Sequence, residues 1–483
     1  MDATESLSGV VFPTTGEGRS TSAFGRSVIA DALREVDPVG ANAAQHDTNW
    51  RRGYLTHFRR LVEAGLGSRE AALAIARNGL ASAGDRMRYA VPGGGEVGLA
   101  EAFARPGAGV DTLTLTGGGT PESELAIPYR GERLAGDTLQ RRLDAWVEDG
   151  AVEPTCAEAV RTVVKNPDWL DLSDLKVVVL GAGAEMGPLE SILRWGGTAV
   201  ALDLPVPAVW DRVGAMAKAG AGRLHAPVSP GANGRPGVDL LTGLADVAEW
   251  LLSAEGRLVL GNYVYADGAT NVRLALAVDA LTTYVTERRP DTALAFLGTP
   301  TDVYAVPADA VEYANRGYAQ RGKVKAVRRP LKALSGGRLL RRNYAPGADP
   351  GVNDSLVPQQ GPNYALAKRV HRWRAAAARA DGATVSFNVA PATRTRSVVK
   401  NRVLAAAYAG AKPFGIEVFE PATSNTLMAA LLVHDLRAGL PPHDHPWQDE
   451  AYAAAHGGLW RSPYDPRSAL GLAVLLGMAG ARG

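Results

Sequence analysis

The chain has 483 residues, of which 46% are apolar and 21% charged. This length is more than one ordinary hydrophobic core holds, so it predicts two domains or one domain enlarged by insertions. The formal net charge of +2 gives no overall attraction to nucleic acid or membranes, and the lone Cys156 excludes an internal disulfide and CxxC-type zinc motifs.

No segment has the pattern of a signal peptide or a membrane span. Residues 1–22 are polar, without a basic region followed by an apolar one, and the apolar run 468–479 is too short to cross a bilayer. We therefore expect no transmembrane segment and a reducing, cytoplasmic location.

The first predicted domain covers residues 1–170 and is mainly helical, with no role that the sequence indicates. Apolar residues recur there at helical spacing. The predicted helices are 22–36, 51–64, 68–83, 138–148 and 155–165.

From residue 175 the pattern alternates between short apolar strands and helices, which is typical of a parallel sheet covered on both faces. The fold class is therefore α/β, with a doubly wound parallel sheet. The predicted strands are 176–180, 198–202, 222–228, 257–260 and 293–297, and the predicted helices are 187–195, 210–219, 245–254 and 271–287.

The alternation breaks over about 300–362, which we interpret as a long loop-rich insertion. It resumes with a helix at 364–380 and a strand at 384–389, followed by helices at 398–409 and 426–438 around a strand at 414–419. Residues 171–440 form the predicted catalytic domain, and 441–483 form an irregular C-terminal extension.

A glycine-rich turn follows the first strand of this domain, in the sequence VVVLGAGAEMG over residues 177–187. Gly181 allows a sharp turn, Gly183 allows close approach of a diphosphate, and Gly187 allows the following helix to pack on the sheet. Asp203 ends the next strand, where a carboxylate binds the ribose hydroxyls of a dinucleotide. Since a carboxylate repels a 2′-phosphate, the cofactor is expected to be NAD, with NADP less favoured. The same pattern also suits a turn that binds S-adenosylmethionine, or a purely structural turn.

A second motif, NYALAK over residues 363–368, opens a helix after Pro362, with Asn363 as its expected N-cap. Tyr364 and Lys368 are four residues apart and project from one helix face. Tyrosine has a pKa of about 10. A nearby ammonium group lowers that pKa, which would allow proton exchange with a substrate oxygen.

The two motifs, in this order, resemble the short-chain dehydrogenase/reductase superfamily over residues 175–397. The resemblance implies a Rossmann-like NAD(P)-binding domain and hydride transfer between nicotinamide and a carbonyl or alcohol. It also implies that Asp239 contacts adenine, that Asn262 ends the fourth strand, and that Thr393 meets the nicotinamide carboxamide. Members commonly associate, so the resemblance is compatible with a homo-oligomer, although the sequence does not determine the oligomeric state. The glycine pattern departs from the superfamily's TGxxxGxG, because the Thr and one Gly of that motif are replaced here by Leu180 and Glu185.

The catalytic serine of the superfamily has no counterpart at its usual place. It should end the fifth strand, where Thr299 and Thr301 stand, and some sixty residues separate that point from Tyr364. Three alternatives are open. One of these threonines supplies the hydroxyl, or Ser355 supplies it from the insertion, or the hydroxyl is absent and the site is altered. Of these alternatives we favour Ser355.

The insertion is strongly basic, with ten basic and no acidic residues over 313–348. It could bind a small-molecule substrate with anionic groups, such as an acyl-coenzyme A, an acidic carrier protein or anionic lipid. The same charge pattern fits a solvated loop equally well. Arg394, Arg396 and Lys400 are further candidates for binding a substrate carboxylate or the cofactor diphosphate.

Other functional classes have weaker support. His443 and His445 form an HxH pair without an apparent third ligand, so no metal site is expected. GxSxG and Walker motifs are missing, which disfavours a hydrolase or an NTPase. Two rivals stay open: an S-adenosylmethionine-dependent methyltransferase, which leaves Tyr364 and Lys368 without a role, and a non-catalytic dinucleotide-binding protein.

Overall fold

The computed structural model describes residues 8–16, 18–105, 107–320, 330–331 and 333–480. The strands are β1 (Gly9–Val11), β2 (Thr14–Thr15), β3 (Gly18–Arg19), β4 (Arg88–Ala90), β5 (Glu96–Gly98), β6 (Asp111–Thr116), β7 (Ile127–Tyr129), β8 (Glu132–Leu134), β9 (Leu175–Leu180), β10 (Thr198–Leu202), β11 (Arg223–Val228), β12 (Arg257–Asn262), β13 (Ala293–Gly298), β14 (Val303–Val306), β15 (Gly351–Asp354) and β16 (Val385–Val389).

The helices divide into those before the central sheet and those within or after it. The first group is α1 (Thr21–Leu33), α2 (Pro38–Gln45), α3 (Trp50–Gly65), α4 (Arg69–Arg86), α5 (Leu99–Ala102), α6 (Gly136–Glu148) and α7 (Pro154–Lys165). The second group is α8 (Leu189–Arg194), α9 (Pro207–Ala219), α10 (Leu244–Ser253), α11 (Gly268–Arg288), α12 (Ala308–Ala319), α13 (Pro362–Ala380), α14 (Arg396–Lys400), α15 (Arg402–Ala409), α16 (Pro421–Arg437), α17 (Pro446–Ala451) and α18 (Pro466–Gly480).

Seven strands form the central sheet, in the order β16-β13-β12-β9-β10-β11-β6. The first six are parallel, and β6 pairs antiparallel with β11 at one edge. The chain starts at β9, moves outward through β10 to β11, and then returns to the other side of β9 to continue through β12, β13 and β16. The winding direction therefore reverses between β9 and β12, and the loops that follow these two strands diverge at their carboxyl ends.

Strand β9 is buried on both faces, which explains the apolar run over its residues 177–180. Val178 and Leu180 belong to one hydrophobic cluster, whereas Val177 and Val179 belong to another, because successive side chains of a strand point to opposite faces. The sheet is thus the middle layer between two cores.

The segment before residue 170 contributes to both cores. Side chains of α1, α3 and α4 join the cluster on one face together with α13, and side chains of α6 and α7 join the cluster on the other face together with α16. Strand β6 from this segment extends the central sheet itself. Among the described residues, the predicted boundary near residue 170 therefore does not separate two hydrophobic cores.

Three predicted segments differ from the structure. The insertion predicted to be loop-rich contains the antiparallel pair β14–β15 and helix α12. The strand predicted at 414–419 is wrong, because Lys412–Phe414 forms a 3₁₀ turn that ends at Gly415 with a φ of 79°, and only Phe419 makes a single bridge, to Thr393. The C-terminal extension predicted to be irregular contains α17 and α18. No helix in the described part of the chain is both long and apolar enough to cross a membrane.

Candidate active site

A cavity of about 1310 Å³ opens at the carboxyl ends of the parallel strands, where their winding reverses. Residues from both sequence motifs line it, although the motifs are some 180 positions apart. Nine of the ten predicted site residues lie in its wall: Gly181, Gly183, Asp203, Asp239, Asn262, Ser355, Tyr364, Lys368 and Thr393.

Gly187 is the predicted site residue that does not line this cavity. The turn after β9 runs through Pro188, so the helix begins at Leu189 and not at Gly187 as predicted. A Cβ atom at position 187 would make ordinary contacts at 3.5–3.7 Å. The packing of the helix therefore gives no reason for a glycine there.

The carboxylate of Asp203 holds the glycine turn. Its Oδ2 accepts a hydrogen bond from the Gly183 amide at 2.7 Å, and its Oδ1 accepts one from the Leu204 amide at 2.8 Å. A Cβ at Gly183 would lie 2.8 Å from Val209 and 2.9 Å from Arg212 Nη2. Gly183 is thus required by its contacts with the segment after β10, and that contact keeps the carboxylate at the cavity wall.

Gly181 has a φ of 86°, which L-residues with a side chain rarely adopt. A Cβ there would also lie 2.9 Å from the carbonyl oxygen of Tyr263. The structure therefore has the sharp turn at Gly181 that the sequence predicts.

Two further polar residues line the cavity, Asp239 in the loop between β11 and α10 and Asn262 at the end of β12. Asp239 accepts a hydrogen bond from the Leu241 amide at 2.9 Å, which fixes its orientation. Asn262 ends β12 and is 4% exposed, yet its Oδ1 has no hydrogen-bond partner among the described residues. A buried acceptor without a donor costs about 1–3 kcal/mol. Asn262 is therefore placed to accept a hydrogen bond from a ligand in the cavity.

Tyr364 and Lys368 lie in the first two turns of α13 and face the cavity together. The helix begins at Pro362 after Gly361, so the predicted N-cap Asn363 already lies inside it. Proline suits this first position because its missing N–H would have no partner there.

The electrostatics of this pair differ from the prediction. Burial raises the pKa of Tyr364, and the nearby Thr299 side chain opposes that rise only in part. Burial lowers the pKa of Lys368 to about 8, against the attraction of Asp302. The pKa of Tyr364 therefore lies above its ordinary value and not below it as predicted, because its removal from water dominates and Lys368 is not among the groups that shift it.

Asp302 anchors the helix that carries the pair, and the sequence pattern gave no sign of this role. It is 1% exposed, and its carboxylate lies 2.9 Å from Arg369 and 2.8 Å from Arg372, both on α13. Burial alone would raise the pKa of Asp302, but the two guanidinium groups hold it below its ordinary value. Arg372 also contacts Glu450 at 2.6 Å.

Two hydroxyl groups in the cavity wall are candidates to assist Tyr364, those of Ser355 and Thr299. Ser355 is buried in the cavity wall, but its Oγ donates to Asn353 at 2.5 Å. Thr299 directly follows β13, beside Tyr364, and its Oγ1 lies 3.0 Å from that of Thr301. Both hydroxyls thus have internal partners, and that of Thr299 is the one beside Tyr364.

Thr393 also has internal partners. Its Oγ1 lies 2.8 Å from the carbonyl oxygen of Pro391 and 2.7 Å from Ser424 Oγ. Thr393 lines the cavity, but its hydroxyl is already engaged.

Glu185, the acidic residue of the glycine turn, lies in the cavity wall and pairs with Arg396. Its carboxylate accepts a hydrogen bond from the Arg396 amide at 2.7 Å and lies 3.2 Å from the Arg396 guanidinium. The negative charge that is unfavourable for a diphosphate is thereby compensated.

The far end of the cavity is mainly apolar and is walled by two C-terminal helices. The residues that line it come from α15, the turn after it and α18: Leu404, Ala407, Tyr408, Ala411, Phe414, Ala469, Leu470 and Ala473. The cavity therefore combines a polar end near the glycine turn with an apolar end next to Tyr364.

The histidines of the HxH pair have structural partners. His443 Nδ1 lies 2.9 Å from Asp449, and His445 Nε2 lies 3.1 Å from the carbonyl oxygen of Gly65. In the described ranges, no group of three or more His, Cys, Asp or Glu side chains is arranged to hold a metal ion.

In comparisons with known proteins, the chain matches no protein-family model and no curated protein sequence.

Proposed function

We propose that this protein is an NAD-dependent oxidoreductase similar in design to short-chain dehydrogenases. The observation that carries the proposal is that the glycine turn with Asp203 and the Tyr364–Lys368 pair line one cavity. Counted from β9, the six parallel strands have the order 3-2-1-4-5-6, which is the order of dinucleotide-binding Rossmann folds. The cavity lies where such folds bind their ligand.

Three polar groups would hold the cofactor. Asp203 has lone pairs left to accept from ribose hydroxyls, and its charge disfavours the 2′-phosphate of NADP. The unpartnered oxygen of Asn262 and the oriented carboxylate of Asp239 offer further acceptors. When bound, the cofactor supplies or accepts a hydride at its nicotinamide ring.

Tyr364 would act as the proton donor to the substrate oxygen. Since burial raises its pKa, it carries its proton at neutral pH, which favours reduction of a carbonyl over oxidation of an alcohol. Lys368, with a pKa of about 8, is mostly protonated at pH 7 and stabilises negative charge beside the tyrosine. The Thr299 hydroxyl would orient the substrate oxygen in the role that we first gave to Ser355.

The substrate proposed is a carbonyl compound with an apolar body. The apolar end of the cavity next to Tyr408 would hold that body, while Lys400 in the cavity wall offers a charge to an anionic group.

Turnover tests this assignment of roles. NADH consumption should be followed with a panel of aliphatic and aromatic ketones and aldehydes, with and without an anionic group. Tyr364→Phe and Lys368→Met should each abolish turnover while NADH binding is kept. Tyr313→Phe is the matched control, because Tyr313 lies outside the cavity and bonds Glu148.

The rival functions predict other results. A non-catalytic dinucleotide-binding protein would bind NADH without turnover of any substrate in the panel. A methyltransferase would bind S-adenosylmethionine and not NADH, and Tyr364→Phe would leave that binding unchanged.

A further inference from the structure

The two C-terminal helices that wall the cavity also form a distinct surface. Helix α15 packs against α18 so closely that a Cβ on Gly410, at the end of α15, would lie 2.7 Å from the Gly477 amide nitrogen, and α14 contacts α15. Residues 333–348 join them, since the Leu340 amide bonds the carbonyl oxygen of Ser468 at 3.3 Å. We call residues 333–348, 391–416 and 466–480 together the C-terminal surface.

Exposed apolar side chains are concentrated on this surface. Ten large apolar side chains are exposed in the described part of the chain, and six of them lie here. They are Leu334 (86% exposed), Val399 (53%), Val403 (45%), Leu475 (63%), Leu476 (48%) and Met478 (48%). Several apolar side chains exposed on neighbouring helices mark an interaction site rather than ordinary scatter.

The C-terminal surface carries an excess of positive charge, although Asp349, Glu417 and Asp465 directly adjoin its segments. Its three segments contain nine basic residues and no acidic residue, although the whole chain has a net charge of only +2. Four of the nine form ion pairs with acidic residues from outside these segments: Arg341, Arg394, Arg396 and Arg467. The other five form no ion pair with a described residue: Arg338, Arg342, Lys400, Arg402 and Lys412.

We propose that the C-terminal surface binds the surface of an anionic lipid bilayer. Apolar helix faces flanked by Lys and Arg insert at the headgroup boundary, and each basic residue near an anionic leaflet adds attraction. An interface with an acidic protein would use charges of both signs to fix its orientation. Five basic residues without an acidic partner among the described residues fit a uniformly anionic plane better.

Binding at the C-terminal surface would bring the bilayer close to the apolar end of the cavity. The inner sides of the same helices line its apolar end through Leu404, Ala407, Leu470 and Ala473. A lipid surface held on the outer side would lie one helix layer away from that apolar end. The proposal concerns binding alone and does not depend on the proposed oxidoreductase activity.

Co-sedimentation of the full chain with lipid vesicles tests the proposal without cofactor or substrate. We expect binding to vesicles of phosphatidylcholine mixed with phosphatidylserine, and much weaker binding to phosphatidylcholine alone or at high salt. Leu475→Glu/Leu476→Glu should weaken binding by about tenfold or more, and so should Arg402→Glu/Lys412→Glu, which changes two exposed basic residues outside the cavity wall.

The matched controls carry the same changes on other surfaces. Val39→Glu replaces an apolar side chain that is 71% exposed on α2, and Lys218→Glu reverses an exposed charge on α9. Both should bind vesicles like the unmodified chain. Equal binding of all variants would overturn the proposal. A failure of the unmodified chain to bind anionic vesicles would also overturn the proposal. If Leu475→Glu/Leu476→Glu then converted a dimer into a monomer, the surface would be an interface between two copies of the chain.

Discussion

Replacing Asp302 with asparagine should destabilise the protein strongly, because this carboxylate compensates two buried cations. Its oxygens lie 2.9 Å from Arg369 and 2.8 Å from Arg372, whose side chains are 5% and 4% exposed. Removing one partner of a buried ion pair costs about 3–5 kcal/mol. Arg372 keeps Glu450 at 2.6 Å, so only Arg369 loses its carboxylate partner. We therefore expect the lower end of that range, about 3 kcal/mol.

Urea unfolding followed by the fluorescence of the nine tryptophans measures this loss. The midpoint should fall with an unchanged slope, since the area exposed on unfolding is the same. The direction in which this stabilisation changes with pH also follows from the pKa of Asp302. The folded pKa of Asp302 lies below its unfolded value, so its contribution is complete at neutral pH and is lost as the pH falls through the folded pKa.

Asp381→Asn is the control for this prediction. Asp381 pairs with Arg77, but their side chains are 64% and 52% exposed, so the change should cost about 0–1 kcal/mol. Similar losses for the two variants would refute the reasoning, because they would mean that the charge of Asp302 is not needed inside the protein.

Three further predictions follow from the site and its surroundings. Gly183→Ala should cost about 1–3 kcal/mol of stability, since its Cβ would lie 2.8 Å from Val209. Gly187→Ala should be nearly neutral, because its Cβ would make only ordinary contacts. Equal unfolding midpoints of the two variants in urea would contradict this prediction. Lys368 has a folded pKa of about 8 and an unfolded value of about 10.4, so the unfolded chain binds more protons between these values. The free energy of unfolding of the unmodified chain, relative to that of Lys368→Met, should therefore rise from pH 8 to 10. If the unfolding free energies of the two proteins changed with pH in parallel, the prediction would be wrong. Burial raises the pKa of the Cys156 thiol, so a thiol reagent should label it only after denaturation, and rapid labelling of the folded protein would be the opposite result.

Much of the central sheet could be predicted from sequence because its strands are buried on both faces. Strand β10 has the predicted bounds, and β9 differs by one residue, since continuous apolar runs between turn signals leave little choice. Helix α13 was likewise evident from Pro362 and its apolar spacing. Its site residues follow directly, because two side chains four apart on a helix share a face.

Features that depend on distant partners were not predictable. The 414–419 segment has strand-like alternation, but it lacks a neighbouring strand, and nothing local reveals that. Asp302 appears in sequence as one acid in a loop, and only folding brings it to two arginines on α13. Ser355 was favoured for its position in the insertion, and its bond to Asn353 depends on the pairing of the chain around β15.

The raised pKa of Tyr364 was missed for a related reason. Sequence shows the lysine four residues away but not the depth of the cavity, and desolvation depends on that depth.

Calorimetric titration of the purified protein with NADH, NADPH and S-adenosylmethionine tests the central claim most directly. The account predicts that NADH binds more tightly than NADPH, that S-adenosylmethionine does not bind, and that Asp203→Ala abolishes NADH binding. Asp211→Ala, an exposed carboxylate on α9, should bind NADH normally. Binding of S-adenosylmethionine alone, or of no ligand at all, would contradict the account.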